Sequence, residues 1–215
     1  MSRLSASAQG HLAILCFSAL VAGSFSLGAQ VANEITPTAL NAVRFALATV
    51  LVGALAWGRG DINRAGFAAP WRYFVLAGLF TLYFVLMFEG LKTAPPVAAA
   101  AVFTLVPVMA AGFAWVLMRQ IMTPRMALAL AIGGAGALWV IFRGDLAALL
   151  AFDIGRGEAI YFTGCISHAL YTPMVRRLNR GESAVMFTFG TLLAGTVLLG
   201  LYGWQDIRAT DWGAL

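Results

Sequence analysis

The chain has 215 residues, 61% of them hydrophobic and 11% charged, with a formal charge of +5 at pH 7. Its mean hydropathy is +0.85, whereas a soluble domain carries about 25% charged residues. A chain this apolar cannot cover itself with a polar surface in water, which excludes a soluble enzyme, a disordered regulator and a disulfide-stapled secreted domain.

The basic balance does not point to nucleic acid. Arg176-Arg177 and Arg180 fall between apolar stretches rather than along one amphipathic face, the placement that membrane topology produces. Cys16 and Cys165 lie inside apolar segments without Cys-x-x-Cys or His/Cys ligand spacing, so neither a disulfide framework nor a metal site is expected. A Gly-rich phosphate loop is absent from the sequence, and no cofactor is expected.

A helix crosses the hydrocarbon core with roughly 17–25 mostly apolar residues. Seven such stretches run in order: 12–32, 37–57, 72–91, 96–118, 125–142, 158–176 and 184–204. They lack the alternation of barrel strands, so the expected fold class is an all-α polytopic membrane protein with seven transmembrane helices. The first stretch is too long for the apolar part of a signal peptide and reads as an uncleaved helix. Trp57, Trp71, Trp115, Trp139 and Trp204 each fall near the end of a span, where an amphipathic indole belongs.

Candidate site residues follow the same order. In the first span Gly23, Ser26, Gln30 and Asn33 share a helical face. Ala19-x-x-x-Gly23 and Ser24-x-x-x-Gly28 suit close helix packing, which leaves Gln30 as a candidate lining residue. Arg44 stands about 10 Å inside the second span at 1.5 Å per residue. An ionisable group at that depth costs several kcal/mol, order of magnitude about 3, unless paired or hydrated. Arg44 is therefore either an anchor for an anionic substrate group or a structural arginine that snorkels.

The third span offers Tyr83 and Glu89. Glu89 either carries a coupling proton or contacts an amine, or else it simply pairs with Lys92 one turn away. Pro107 should kink the fourth span. In the sixth, Gly164, His168 and Tyr171 recur at i, i+4 and i+7 and present small, basic and hydroxyl groups together. His168 titrates near neutral pH when hydrated; the alternative is a neutral histidine bonded to another helix. Either reading turns that face into the bundle. An intramembrane Ser/His protease built on Gly23-Ser24-Phe25-Ser26 and His168 lacks the G-x-S-x-G elbow, and a retinal receptor lacks a lysine in its seventh span, so no enzyme is expected.

With the N-terminus inside, Arg3, Arg59, Arg64, Arg72, Arg119, Arg125, Arg176, Arg177 and Arg180 fall on the cytoplasmic side. Lys92, Arg143, Arg156 and Arg208 fall on the other. The positive-inside rule then gives a multi-pass protein of the inner or plasma membrane with a cytoplasmic N-terminus.

Sliding the chain along itself by 147 residues sets Thr49 to Trp57 over Thr196 to Trp204, with Thr, Val, Leu, Gly and Trp identical. Gly10 then overlies Gly157, and Ala22 overlies Ala169. A unit of five helices is odd, so its second copy enters the membrane upside down. Residues 1–147 are expected to form one five-helix repeat, and residues 148–215 the first two helices of a second, inverted one.

Pro37 to Arg44 followed by Phe45-Ala46-Leu47-Ala48, then Phe88 to Ala94, Thr104-Leu105-Val106-Pro107 and Gly133-Gly134-Ala135-Gly136 complete the pattern. In order and spacing they resemble the EamA-type permeases of the drug/metabolite transporter superfamily. Met118-Arg119-Gln120 departs from the Gly-Glu pair common after the family's fourth helix. The resemblance implies a ten-helix, 5+5 inverted-repeat architecture of about 294 residues on this repeat length, of which this sequence would be a truncated piece. It also implies a secondary-active transporter, more often an exporter, of small metabolites or amino-acid-like compounds by alternating access. The alternative is a non-transporting membrane subunit or inactive fragment. Expected partners are a small-molecule substrate and the lipid bilayer, without nucleic acid and with a homodimer left open. Gln30, Arg44, Tyr83, Glu89, His168 and Tyr171 are the expected substrate-binding residues.

Overall fold

The computed structural model describes residues 5–151 and 153–213, so Arg3, counted above toward the more basic end, lies outside the described residues. The helices are α1 (Ala6–Val31), α2 (Pro37–Gly58), α3 (Trp71–Leu91), α4 (Pro96–Phe103), α5 (Val106–Met118), α6 (Pro124–Ile141), α7 (Leu146–Ala151), α8 (Arg156–Leu178), α9 (Ala184–Tyr202) and α10 (Trp204–Ala209). A 3-10 turn at Arg64–Phe67 precedes α3, and no strand occurs among the described residues.

Local chemistry sets the helix starts. Ser5, Thr123 and Ser183 accept the backbone N–H of Ala8, Met126 and Met186 through their side-chain oxygens, each satisfying an orphan donor of the first turn. Pro37, Pro96 and Pro124 occupy first helical positions, where the missing N–H costs nothing. The kink expected at Pro107 is a full break. Proline denies Phe103 its carbonyl partner and crowds it, so α4 ends at Phe103 and a turn at Thr104-Leu105 leads into α5.

Six segments among the described residues are long and apolar enough to cross a membrane: Ser7–Val31, Pro37–Gly58, Trp71–Leu91, Pro96–Met118, Pro124–Ile141 and Ala184–Tyr202. They match six of the seven expected spans, with α4 and α5 sharing one. The stretch at 158–176 forms α8, which has the length, at 23 residues, but is more polar than the rest.

The core lies where α8 packs antiparallel on α3. Gly90 and Gly157 meet at the crossing: a Cβ added to Gly90 would stand 2.7 Å from the Gly157 carbonyl oxygen. Further along, Gly164 faces the backbone of Tyr83, and the Ser167 hydroxyl donates to the Leu79 carbonyl at 2.8 Å. Small residues let the two backbones approach, the usual device for joining helices in lipid. Of the α1 pairs read as packing motifs, Gly28 closes on Phe88 and Leu91, while Gly23 meets open space.

α2 and α9 form a second antiparallel pair. At one end Thr38 donates to Asp206 of α10, just past α9; Thr49 and Thr196 share a hydrogen bond of 2.9 Å midway, and Gly53 takes the Phe189 ring at the other end. Two helix boundaries recur at the spacing found in the sequence. α1 and α8 end at Val31 and Leu178, and Thr36 and Ser183 cap α2 and α9; both pairs lie 147 residues apart.

These contacts sort the loops into two ends. Arg72 at the start of α3 reaches the end of α8, which also touches the end of α5. Arg59, Arg64, Arg72, Arg119, Arg125, Arg176, Arg177 and Arg180 therefore gather at one end, called here the basic end.

Candidate functional site

The α8 face carrying Gly164, His168 and Tyr171 does turn into the bundle, against α3 and α4. The His168 ring lies 4.5 Å from Tyr83, 5.7 Å from Phe103, 5.9 Å from Phe80 and 5.7 Å from Tyr171, centroid to centroid. Phe80 and Tyr171 stack at 4.7 Å with 14° between their planes. Such stacked and edge contacts each add about 0.5–1.5 kcal/mol beyond burial. The cage has one unsatisfied polar point: His168 Nδ1 is buried and has no hydrogen-bond partner among the described residues. An enclosed polar atom left so costs about 1–3 kcal/mol.

Below the cage the Tyr83 and Tyr161 hydroxyls share a hydrogen bond of 3.0 Å, and Phe25 of α1 closes on the Tyr161 ring at 5.8 Å. Tyr161 was not among the expected site residues. Its signal was present, because Gly164, His168 and Tyr171 continue upstream at the same alternation of three and four residues to Tyr161 and Gly157. Tyr73, Leu76, Phe80, Tyr83, Met87 and Gly90 make the matching stripe on α3, all of them at least half-buried.

Arg44 extends the cluster toward α2. Its guanidinium lies 5.0 Å from the Phe88 ring centre and 5.1 Å from that of Phe84, a cation–π arrangement. Nη1 also donates to Asn41 at 3.4 Å, and no carboxylate lies within ion-pair distance among the described residues. Arg44 is half-buried. It borders a cleft of about 440 Å³ with α1 and another of about 350 Å³ with Phe80 and Phe84.

The remaining two candidates stand apart. Glu89 accepts from Lys92 Nζ at 2.6 Å, with 41% of its side chain exposed, the pairing weighed for it above. Gln30 is exposed on the last turns of α1. The structure thus brings Arg44, Tyr83, His168 and Tyr171 into one aromatic-walled region and leaves Gln30 and Glu89 outside it.

A cleft of about 410 Å³ between α8 and α9 connects the basic end with this region, running past Glu182, Asn179 and Thr188 to Tyr171. Its rim holds an ion pair that the sequence did not reveal. Arg72, 1% exposed, places Nη2 at 2.6 Å from Glu182 Oε1. It also donates from Nη1 to the Leu178 carbonyl at 2.7 Å, at the end of α8. The hydrogen bond that Arg72 Nη2 donates to its carboxylate holds Glu182 down to about 2 from its ordinary 4.5, helped by the Arg180 N–H and opposed by desolvation. Residues 72 and 182 lie 110 positions apart, and neither sits in a pattern that names the other. Among the described residues no three His, Cys, Asp or Glu side chains are grouped to hold a metal ion.

Comparison with known proteins agrees with this architecture. A family model described as "EamA-like transporter family" matches residues 8–142. The chain is 26% identical over 191 residues to "Uncharacterized transporter YyaM" of Bacillus subtilis (strain 168), covering 88% of this chain and 63% of that protein. It therefore spans somewhat under two thirds of that relative's length. No solved structure matches the chain significantly.

Proposed function

The chain belongs to the EamA-like transporter family, and on that premise we propose that it works as a secondary-active exporter of small metabolites or amino-acid-like compounds. The observation that carries this reading is the cage around His168, with an enclosed imidazole nitrogen that no described protein group satisfies. The rings take the apolar body of the substrate, His168 hydrogen-bonds to it, and Arg44 faces its anionic group. Gln30 and Glu89 stand toward the opposite mouth.

Alternating access supplies the mechanism. Residues 1–147 act as one repeat and residues 148–215 open a second, inverted one, the two rocking about a midplane site. Support for the repeat comes from the helix boundaries spaced by 147 residues, from the antiparallel run of α2 and α9, and from the Thr49–Thr196 bond. The gathering of arginines at one end supports a cytoplasmic N-terminus in an inner or plasma membrane.

The test is flux in liposomes carrying this chain alone, with labelled amino acids and small organic acids under imposed pH gradients. Flux above empty vesicles is expected, weakened at least tenfold in Arg44→Gln and stripped of its pH dependence in His168→Ala. An absence of flux under every gradient overturns the proposal for this chain and leaves a non-transporting membrane subunit or an inactive fragment of such a transporter. An unchanged pH profile in His168→Ala returns His168 to a packing role.

A further inference from the structure

We propose that the cleft between α5, α6 and α8 at the basic end binds one phospholipid with an anionic head group. This cleft of about 490 Å³ is walled by Pro107, Ala111 and Ala114 of α5 and by Leu130 of α6, with Gln120 and Arg176 at its mouth. Alanines make the wall concave, and no polar side chain interrupts α5 between Val106 and Met118.

Depth identifies the occupant. From Met118 at the mouth to Pro107 at the inner limit, α5 covers about 16 Å at 1.5 Å per residue. A bilayer's hydrocarbon core is roughly 30 Å thick. The groove is thus one leaflet deep, which suits the acyl chain of a lipid and is too short for a partner helix that crosses the membrane.

Charge identifies the head group. The carboxylates at this end are committed elsewhere, Asp61 to Arg59 and Glu182 to Arg72. Arg119, Arg125, Arg176 and Arg177 have no carboxylate within ion-pair distance among the described residues. Two of the four are held at the mouth by single contacts: Arg176 Nη1 donates to Gln120 Oε1 at 3.4 Å, and Arg177 Nη1 to the Leu117 carbonyl at 3.1 Å. A guanidinium has five N–H donors in a fork that fits a phosphodiester, so most of their bonding capacity faces outward. An apolar groove ending in unpaired arginines matches an anionic phospholipid and repels a cationic one.

The groove borders the α8–α9 cleft, with which it shares Thr172 and Arg176, and its test therefore reads lipid binding rather than flux. The whole chain is purified in nonionic detergent and titrated with dioleoyl phosphatidylglycerol or dioleoyl phosphatidylcholine, with bound lipid counted by native mass spectrometry. Wild type is expected to retain one phosphatidylglycerol in preference to phosphatidylcholine. Arg176→Gln should weaken it roughly fivefold, Ala114→Phe should fill the groove and abolish retention, and Arg64→Gln in the distant 3-10 turn should change nothing. Equal weakening by Arg64→Gln and Arg176→Gln indicates diffuse surface attraction and overturns the site. Undiminished retention in Ala114→Phe, or displacement of the lipid by inorganic phosphate, overturns the groove as the acyl-chain seat. A dimer mass without bound lipid assigns the face to a second copy and also overturns the proposal.

Discussion

Helices α8 and α6 invert the rule of soluble proteins. α6 is apolar beyond Arg125 in its first turn, yet only Ala137 and Ile141 are buried in it. α8 is much the more polar and buries eight residues, including Glu158, Ser167 and Tyr161. In water the apolar helix would be the hidden one. Lipid tails are as apolar as leucine, so α6 gains little by turning inward. Enclosure falls instead to the helix whose hydroxyls and imidazole are costly to show to hydrocarbon, and whose glycines allow a neighbour close. In this chain polarity marks the interior.

The contrast is broken most severely at the basic end of the α3–α8 pair. Arg72→Ala leaves the Glu182 carboxylate without its partner and should cost about 3–5 kcal/mol, read as a fall in the thermal midpoint of the detergent-solubilised protein. The folded-state value of Glu182 is depressed from 4.5 to about 2. Stability from the pair is therefore complete above pH 4.5 and is lost as pH falls toward 2. Glu182→Gln should flatten the acid limb of the stability profile within that window, and an acid limb identical to wild type would show that the pair does not set it.

A smaller loss is expected where the backbones touch. Gly157→Leu forces a side chain against the Gly90 carbonyl and should destabilise by about 1–3 kcal/mol, whereas Gly133→Leu on α6, which meets open space, should be silent. Tyr83→Phe removes the hydroxyl bonded to Tyr161 and should cost about 0.5–1.5 kcal/mol; Tyr161→Phe in the same background should then cost less than it does alone, because this bond is already gone. The smallest effect belongs to α6. Ile132, 65% exposed, should tolerate replacement by alanine within about 0.5 kcal/mol. A loss above about 2 kcal/mol there would mean that α6 is covered, and the contrast with α8 would collapse.

Much of this was legible in the sequence because the deciding signals are local. Proline at the first helical position and turn residues after the last bound α2 at 37–57 by pattern and at Pro37–Gly58 in the structure. Helical spacing likewise told which face of α8 would turn inward. Spacing does not name the opposite partner. Tyr83 and Tyr161 are 78 residues apart and Arg72 and Glu182 are 110, and each pairing depends on how α3 crosses α8 and where α8 ends. Gln30 shows the converse limit. Its helical face looked right, but Ser26, Gln30 and Asn33 are all exposed while Phe25, Gly28 and Ala32 form the buried face of this segment, so Gln30 lies on the side turned away from the bundle. The polarity of α8 carried a warning as well, since a stretch too polar to face lipid on all sides has to be enclosed by other helices.

The bond between Thr49 and Thr196 imposes a constraint on its own chemistry. On the proposed repeat, Thr49 and Thr196 hold equivalent places, so each meets the residue type that stands at its own position in the other unit. Lysine or aspartate there would confront its like, whereas a hydroxyl both gives and receives. The symmetry need not survive in the proton: Thr196 already donates to the Leu192 carbonyl at 2.9 Å, so Thr49 must be the donor to Thr196. Self-complementary side chains are the ones that the proposed repeat would place on its own seam, and valine at either position would leave the other hydroxyl to find its partner within its own helix.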